Sequence, residues 1–391
     1  MKFLTLDWTS KGFKEVDFFK DCGGIPFALA KYHNYQSELI YVDNISCDLK
    51  NHRYQRYVKV KHIYFGHKEI KKYWLICKEI WKNAKNFDVI NIYYIRKMGI
   101  LISFIAKFRN PKIIVYAKLD LGRNFFDAQI NKKNLLSRKI KNYLLGHLST
   151  KIDLYTVETA QYVEPLNKLE RFNGKVKYLP NGFFSDLLNT DINAPKEKII
   201  LTVGRLGTEQ KNTEMLIEAI KLMDRRKLDG WKVYLVGPVT DVFKQWYENE
   251  LQKRPDLKEI FTMTGNISDK KELYEIYAKS SVFVLTSRWE SWGLVVTEAA
   301  HLKNYLIVTD CCDAFYEYIN TDRENGFGKI IEKENIKMLK EALEEVLDEK
   351  VDFISKGIQA GNFVDNKFDW ARIVGILDNY FKEIYENRQC N

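Results

Sequence analysis

Short runs of β-forming apolar residues alternate along the whole chain with longer amphipathic runs. This alternation is typical of parallel α/β sheets covered by helices on both faces. The runs predicted as strands in the first half are residues 3–7, 38–43, 62–66, 88–93, 112–117, 153–157 and 175–179. Further strands are predicted at residues 199–203, 232–236, 261–264 and 282–286. The pattern therefore predicts an α/β fold.

A polar segment with one proline, residues 190–198, directly precedes the apolar run that restarts the alternation, and it is the predicted linker. A chain of 391 residues fits two domains. We predict an N-terminal domain of residues 1–190 and a C-terminal domain of residues 191–369. Residues 370–391 are predicted as an amphipathic helix whose apolar face holds Ile373, Ile376, Leu377, Tyr380 and Ile384.

The longest nearly uncharged apolar run, residues 98–106, is far shorter than the roughly 20 residues that a membrane-spanning helix needs. The first apolar stretch is also too short for a signal peptide, and a cytoplasmic protein is expected. The cysteines have no C-x-x-C spacing and no neighbouring histidines, so free thiols are expected, without a zinc site or disulfides. They are Cys22, Cys47, Cys77, Cys311, Cys312 and Cys390.

The net charge of +10 is unevenly distributed. Residues 1–190 contain 33 Lys and Arg against 17 Asp and Glu, an excess of +16, and the remainder has a net charge of −6. A basic excess in one domain favours an anionic neighbour, such as a membrane surface, a phosphorylated lipid or nucleic acid. A merely solubilising surface is the alternative.

Residues 131–148 combine apolar residues at helical spacing with several lysines and arginines. Such a basic amphipathic helix could lie on an anionic membrane surface. The same apolar stripe could instead pack on the sheet, with its lysines in solvent.

The most informative segment is residues 282–301, VFVLTSRWESWGLVVTEAAH. A predicted strand ends near Ser287, a loop follows with Glu290 and Gly293, and a predicted helix contains Glu298. Ligands of open α/β sheets bind outside the carboxyl ends of strands, and a helix N-terminus suits a diphosphate. The two glutamates could accept hydrogen bonds from hydroxyl groups, or could simply be surface charges.

A second segment, residues 199–212, ends a strand at Gly204 and follows it with Arg205 and Lys211. Two cations at the carboxyl end of a parallel strand could neutralise a pyrophosphate and stabilise a departing nucleotide.

Together these segments resemble the retaining glycosyltransferases of family 4, which have the GT-B fold. The motifs that carry the resemblance are Val203-Gly204-Arg205-Leu206, Gln210-Lys211-Asn212, Leu235-Val236-Gly237, Gly265, Glu290 with Glu298 after seven intervening residues, and Asn325-Gly326. The resemblance implies two Rossmann-like doubly wound domains facing across a cleft, with residues 370–391 crossing back to the first domain.

By this resemblance, Arg205 and Lys211 hold the donor diphosphate, Glu290 the sugar hydroxyls and Glu298 the nucleotide ribose. The remaining donor-binding residues that it implies are the backbone of Gly293 and Leu294 at the phosphates, and Asn266 and Ile267 beside the base.

The first domain resembles the family in two places. Gly23 and Gly24 look like the family's glycine loop, which approaches the donor phosphates after the first strand; a simple tight turn is the alternative. Many relatives have a histidine followed by an aspartate after the strand predicted at residues 112–117. Here Asp120 matches the aspartate, but Leu119 replaces the histidine, and Lys118 is a candidate substitute.

The implied catalytic residues are Glu290, Asp120, Lys211 and Arg205. No D-x-D motif occurs in the chain, so leaving-group stabilisation without a metal or other cofactor is expected. The expected partners are a nucleotide-sugar donor, such as a UDP-sugar, a glycan acceptor on a lipid phosphate, and an anionic membrane surface, but no nucleic acid. A bacterial surface polysaccharide or glycoconjugate is the expected product. Glycosylation of a protein, and a non-catalytic GT-B-like partner subunit, are the alternatives.

Overall fold

The computed structural model describes residues 1–8, 13–45, 52–66, 69–93, 97–130, 150–186, 191, 193–319 and 326–389. They form two compact units, Met1–Gly182 with Trp370–Asn391, and Phe183–Asp369. The first break thus comes earlier than the predicted boundary at residues 190/191. Phe183 already belongs to the second unit because it pairs with Asp369, and its N–H donates to the carbonyl of Phe368 at 3.1 Å.

The described part of the first unit contains a parallel sheet of seven strands in the order β3-β2-β1-β4-β5-β6-β7. The strands are β1 (Lys2–Asp7), β2 (Gln36–Asp43), β3 (Val58–Tyr64), β4 (Val89–Ile92), β5 (Ile114–Lys118), β6 (Leu154–Val157) and β7 (Val176–Tyr178). The helices are α1 (Asp21–His33), α2 (His52–Gln55), α3 (Glu69–Asn83), α4 (Lys97–Arg109), α5 (Arg123–Ile130) and α6 (Val163–Asn167). All seven predicted strands are confirmed, although β3 starts earlier than predicted.

The second unit contains a parallel sheet of six described strands in the order β10-β9-β8-β11-β12-β13. They are β8 (Glu197–Val203), β9 (Lys232–Val236), β10 (Phe261–Gly265), β11 (Ser280–Leu285), β12 (Tyr305–Thr309) and β13 (Gly328–Ile331). The helices are α7 (Glu214–Lys221), α8 (Asp241–Lys253), α9 (Lys270–Lys279), α10 (Leu294–His301), α11 (Phe315–Tyr318), α12 (Ile336–Leu347) and α13 (Phe353–Phe368). The predicted fold class, two Rossmann-like parallel α/β domains, is confirmed.

The last helix, α14 (Trp370–Asn387), packs on α1 in the first unit. The hydroxyl of Tyr35 donates to Oδ1 of Asp378 at 2.6 Å, and Arg388 forms an ion pair of 2.5 Å with Asp153. Buried Trp370 and Phe381 add apolar contacts. The C-terminal helix is therefore an integral part of the first unit.

Several predictions fall on residues outside the described ranges. These are the basic helix of residues 131–148, two of the cysteines and the asparagine of the Asn-Gly motif, namely Cys47, Cys390 and Asn325. Within the described residues, Cys22, Cys77, Cys311 and Cys312 form no disulfide. Within the described ranges, no helix is both long and apolar enough to cross a membrane.

Candidate functional site

The candidate site of the second unit begins where the strand order reverses, at the carboxyl ends of the neighbouring strands β8 and β11. Ligands of open α/β sheets bind at such switch points. Gly204 and Gly237 follow β8 and β9, and a Cβ on Gly237 would lie only 1.8 Å from the carbonyl oxygen of Gly204. A Cβ on Gly204 would lie 3.2 Å from Cε of Lys211. The glycines therefore leave room for the two backbones and for the lysine side chain.

Lys211 and Glu290 form the centre of this site. The Lys211 ammonium group lies 2.5 Å from Oε1 of Glu290, and the hydroxyl of Ser287 donates to the same oxygen at 2.7 Å. Both long side chains are nearly buried, with exposed fractions of 13% and 11%. Because β8 and β11 are adjacent, their following loops bring the two charges together across 79 positions of sequence.

Backbone contacts hold these two loops in register. The N–H of Arg288 donates to the carbonyl of Gln210 at 2.8 Å, and the Thr286 hydroxyl donates to the carbonyl of Lys211 at 3.0 Å. Hydrogen bonds to the main-chain carbonyls of Gln210 and Lys211 therefore hold the loop of the lysine against the loop of the glutamate.

Gln210 connects Arg205 to the same cluster. Its side-chain oxygen accepts from Arg205 at 2.5 Å, while its nitrogen donates to the Trp289 carbonyl at 3.0 Å and lies 3.4 Å from Glu290. The structure thus brings Arg205, Lys211 and Glu290 together. Gln210 is not among the site residues predicted from the sequence, although it belongs to a motif there. Its position directly before Lys211 is the sequence feature that could have indicated it.

Helix α10 begins beside this cluster. Its N-cap residue, Gly293, has φ of +77° in the left-handed region, and a Cβ there would lie 2.8 Å from Cε1 of Phe315. Glycine is favoured on both grounds. The predicted pair Gly293 and Leu294 therefore lies at a helix N-terminus, where backbone N–H groups and the helix dipole suit an anion.

Glu298 lies in the second turn of α10 and forms a second polar cluster. Its Oε1 accepts from Lys270 at 2.5 Å and from the hydroxyl of Tyr274 at 3.2 Å. Burial raises the pKa of Tyr274 far above its ordinary value, and the Glu298 charge adds to that increase. An ion pair and a hydrogen bond therefore connect Glu298 to α9.

The predicted base-binding residues lie in the loop between β10 and α9. Asn266 is exposed, and its side-chain nitrogen donates to the Ser268 hydroxyl at 3.0 Å, whereas Ile267 is half-buried. Asp269 then caps α9 by accepting from the N–H of Lys271 at 2.9 Å. This loop leads directly into the helix that contacts Glu298.

In the first unit, Gly23 and Gly24 lie in the first turn of α1, so the predicted loop position is corrected. A Cβ on Gly23 would lie 2.4 Å from the carbonyl oxygen of Phe18, and one on Gly24 would lie 3.2 Å from Nε1 of Trp370. Close packing inside the first unit therefore explains both glycines. Their contact with a donor stays a prediction.

Leu119, at the family's histidine position, is only 4% exposed and belongs to the apolar core of the first unit. The neighbouring Lys118 is completely buried, and its ammonium group lies 3.3 Å from Oε2 of Glu158. Lys118 is thus held inside the unit, which corrects the expectation that it substitutes for the histidine. Asp120, two residues after the end of β5, is half-buried.

Glu158 was not predicted from the sequence. It follows β6, is completely buried, and accepts from the Leu121 N–H at 2.6 Å. Burial raises the pKa of Glu158 to about 7, although the Lys118 charge opposes the increase. Burial also raises the pKa of Asp21, which accepts from the Tyr93 hydroxyl. The Lys118 charge lowers the pKa of both buried carboxyl groups and so partly offsets the effect of their burial.

Within the described residues, no group of three or more His, Cys, Asp and Glu side chains could hold a metal ion.

Known proteins resemble this chain both in sequence and in fold. Residues 188–361 match the family model described as Glycosyl transferases group 1. The amylovoran biosynthesis glycosyltransferase AmsD of Erwinia amylovora is 28% identical over 188 residues, 48% of this chain and 46% of that protein. An α-1,4-N-acetyl-D-galactosaminyltransferase of Campylobacter jejuni, named for a diNAcBac-PP-undecaprenol glycan, is 31% identical over 135 residues, 34% of this chain and 35% of that protein.

The matches thus span less than half of each of these relatives. Among solved structures, Anabaena HepE in complex with UDP and glucose superposes with a TM-score of 0.68 at 16% identity, covering 98% of this chain and all of that one. Residues 188–361 therefore resemble a Glycosyl transferases group 1 domain, and the chain has the GT-B fold.

Proposed function

We propose that this protein is a retaining glycosyltransferase that moves a sugar from a UDP-sugar to a glycan acceptor on a lipid phosphate, in the synthesis of a bacterial surface polysaccharide or glycoconjugate. The observation that carries the proposal is the nearly buried Lys211–Glu290 pair, with Arg205 beside it. This cluster lies at the switch point of a domain that matches the glycosyl transferase family.

Different charged groups of the second unit bind different parts of the donor. Arg205 and Lys211 bind the diphosphate, because two cations at one strand end match its charge. Glu290 accepts hydrogen bonds from the sugar hydroxyls, and Glu298 from the ribose. The N–H groups at Gly293 and Leu294 bind phosphate oxygens, while Asn266 and Ile267 contact the base. In the free protein, the Lys211–Glu290 ion pair neutralises both groups before the donor arrives.

In the proposed reaction, the bond between the anomeric carbon and the diphosphate oxygen breaks, and the acceptor oxygen bonds to the same face of that carbon. The acceptor proton moves to the departing phosphate, so no strong protein base is needed. Arg205, Lys211 and the N-terminus of α10 stabilise the negative charge on the leaving group without a metal cofactor. Asp120, and the first turn of α1 with Gly23 and Gly24, are the proposed contributions of the first unit.

Two comparisons support the choice of substrates. HepE, which has the same fold, is described in complex with UDP and glucose. The Campylobacter relative is named for an acceptor glycan on undecaprenol diphosphate. The excess charge of +16 in residues 1–190 suits such an anionic acceptor.

The first experiment measures thermal stabilisation by UDP-, GDP-, ADP- and TDP-sugars, because a ligand that binds only the folded chain raises Tm. UDP-sugars should give the largest increase. Transfer to lipid-linked glycans is then assayed with the same donor, and NMR determines whether the anomeric configuration is retained.

The Lys221–Glu250 ion pair provides a matched control in the same domain, since its side chains are 14% and 10% exposed. Glu290→Gln should lose transfer by orders of magnitude, whereas Glu250→Gln should keep it. Equal turnover in the two variants would contradict the donor-site assignment. Transfer to peptides but not to lipid-linked glycans would show that the acceptor is a protein. Donor binding without any transfer would identify a non-catalytic subunit.

A further inference from the structure

Helix α3 exposes a row of large apolar side chains. Ile70, Trp74 and Trp81 are 84%, 57% and 47% exposed. Their spacings of four and seven residues place them on one side of the helix. The opposite side is buried in the first unit through Ile76 and Ile80. An outer face of this kind is normally polar, so the row needs a separate explanation.

The row continues onto α4. The rings of Trp81 and Phe108 are stacked, with centroids 5.7 Å apart and an angle of 20° between their planes. Phe108 is 75% exposed, and Leu101, seven residues earlier, is 47% exposed. Trp74 likewise comes seven residues before Trp81. Because α3 and α4 pack together and both return from the carboxyl to the amino edge of a parallel sheet, they run in the same direction.

This apolar surface, called here the aromatic face, consists of Ile70, Trp74, Trp81, Leu101 and Phe108. Positive charges surround it. The ammonium group of Lys78 lies 4.6 Å from the ring centre of Trp74, and the guanidinium group of Arg109 lies 4.7 Å from that of Trp81. Residues 69–112 contain ten Lys and Arg against three Asp and Glu. Exposed apolar rings are thus combined with a strong local excess of positive charge.

We propose that the aromatic face docks the first unit on the surface of an anionic lipid bilayer. Tryptophan and phenylalanine insert at the boundary between headgroups and acyl chains, while lysine and arginine remain at the headgroups and attract anionic lipids. The cation–π pairs already hold the charges beside the rings. Charge complementarity selects an anionic bilayer over a neutral one.

The docking proposal does not depend on the transferase proposal. It concerns a surface of the first unit and is tested with vesicles that contain neither donor nor acceptor.

The test measures cosedimentation of the full chain with phosphatidylcholine vesicles, with and without phosphatidylglycerol. Binding should be at least about tenfold stronger with phosphatidylglycerol and should weaken as salt is added. The emission of the exposed tryptophans should shift to shorter wavelength on binding. Equal binding to both vesicle types would overturn the electrostatic part of the proposal.

Variants then locate the surface. Trp74→Ser with Phe108→Ser should weaken binding by about tenfold or more, because two apolar side chains lose their insertion. Val242→Ser is the matched apolar control, since Val242 is 79% exposed in the second unit. Lys78→Gln should weaken binding to anionic vesicles, whereas Lys244→Gln, at an exposed position of α8, should not.

Circular dichroism and Tm confirm that each variant is folded. Unchanged vesicle binding in Trp74→Ser with Phe108→Ser would overturn the proposal. The chain could instead fail to bind vesicles and form dimers in sedimentation velocity. If these substitutions dissociate the dimers, the aromatic face binds a second copy of the chain. Loss of vesicle binding with unchanged transfer to a water-soluble acceptor would separate docking from catalysis.

Discussion

The ammonium group of Lys211 lies 2.5 Å from Oε1 of Glu290, although the two residues follow different strands. The two residues meet because β8 and β11 are neighbours in the sheet, at the point where the strand order reverses. The Ser287 hydroxyl donates to the same oxygen of Glu290 and adds a third polar group. Two opposite charges that are nearly buried must stay paired or meet a ligand, because an isolated buried charge is costly.

The two charges should therefore act as a unit. Lys211→Met and Glu290→Gln should each reduce kcat/KM by roughly 10²- to 10³-fold, since each removes one charge from the donor site and leaves the other unpaired. The double variant should lose much less than the product of the two single losses. Steady-state kinetics of the four proteins measures this coupling, and fully multiplicative losses would show that the two residues act separately.

Glu298→Gln should mainly weaken donor binding. A carboxylate that accepts from a ribose hydroxyl contributes a charged hydrogen bond, so the donor KM should rise by about tenfold or more with little change in kcat. The discrimination between UDP and its 2′-deoxy analogue should also fall if that hydroxyl is the contact. Tyr274→Phe is the control, because it keeps the carboxylate but removes the hydroxyl that donates to it. A lower kcat with unchanged KM would place Glu298 elsewhere in the reaction.

Gly293→Ala should destabilise the protein more than Gly230→Ala. Both glycines have φ near +75°, which costs an alanine about 1 to 2 kcal/mol. A Cβ at Gly230 would meet only Cδ of Lys198 at 3.7 Å, whereas one at Gly293 would lie 2.8 Å from the Phe315 ring. Urea unfolding of both variants measures the difference. Equal losses of unfolding free energy would mean that the Phe315 ring moves aside freely.

Glu158 should make the protein less stable as pH rises. Burial raises the pKa of Glu158 from 4.5 to about 7, so the folded chain binds more protons than the unfolded chain between these values. Its contribution to stability is present below about pH 4.5 and is lost as pH rises through 7. The change in Tm between pH 5 and 8 should be more negative in the wild type than in Glu158→Gln. Parallel pH profiles of the two proteins would contradict this assignment.

Lys196 should make the protein more stable as pH rises above about 7. Burial lowers the pKa of its ammonium group to about 7, while the group donates to the carbonyl of Leu302 at 2.5 Å. Between about pH 7 and 10.5 the folded chain binds fewer protons than the unfolded chain, so stability should rise with pH. Lys196→Met should reduce the increase in unfolding free energy between pH 7 and 9. Lys198→Met, at an exposed position of β8, is the control.

The apolar pattern predicted the strands well because each buried parallel strand is a short run of β-forming residues between polar turns. In the second unit, β8 and β11 formed where the sequence indicated, and the loops after them contain Arg205, Lys211 and Glu290. The motifs locate these residues in the two loops because each residue lies only a few positions after the end of its strand. The break at Phe183 was missed, since its pairing with Asp369 joins distant segments.

The glycine motif shows the limit of local interpretation. The sequence predicts a loop at Gly23 and Gly24, yet both lie in α1, where a Cβ on Gly23 would clash with the Phe18 backbone and one on Gly24 would press on the Trp370 ring. Local sequence indicates that a position needs glycine, but it does not identify the neighbouring atoms.

The sequence by itself determined the alternation of strands and helices, the uneven charge and the order of the motif residues, because all of these depend on near neighbours along the chain. Only the tertiary structure decided that Lys118 is buried against Glu158, that Gln210 joins Arg205 to Glu290, and that α3 and α4 share an aromatic face. Burial, ion pairing and surface exposure depend on which distant segments meet, and the packing of the two sheets with their helices decides that.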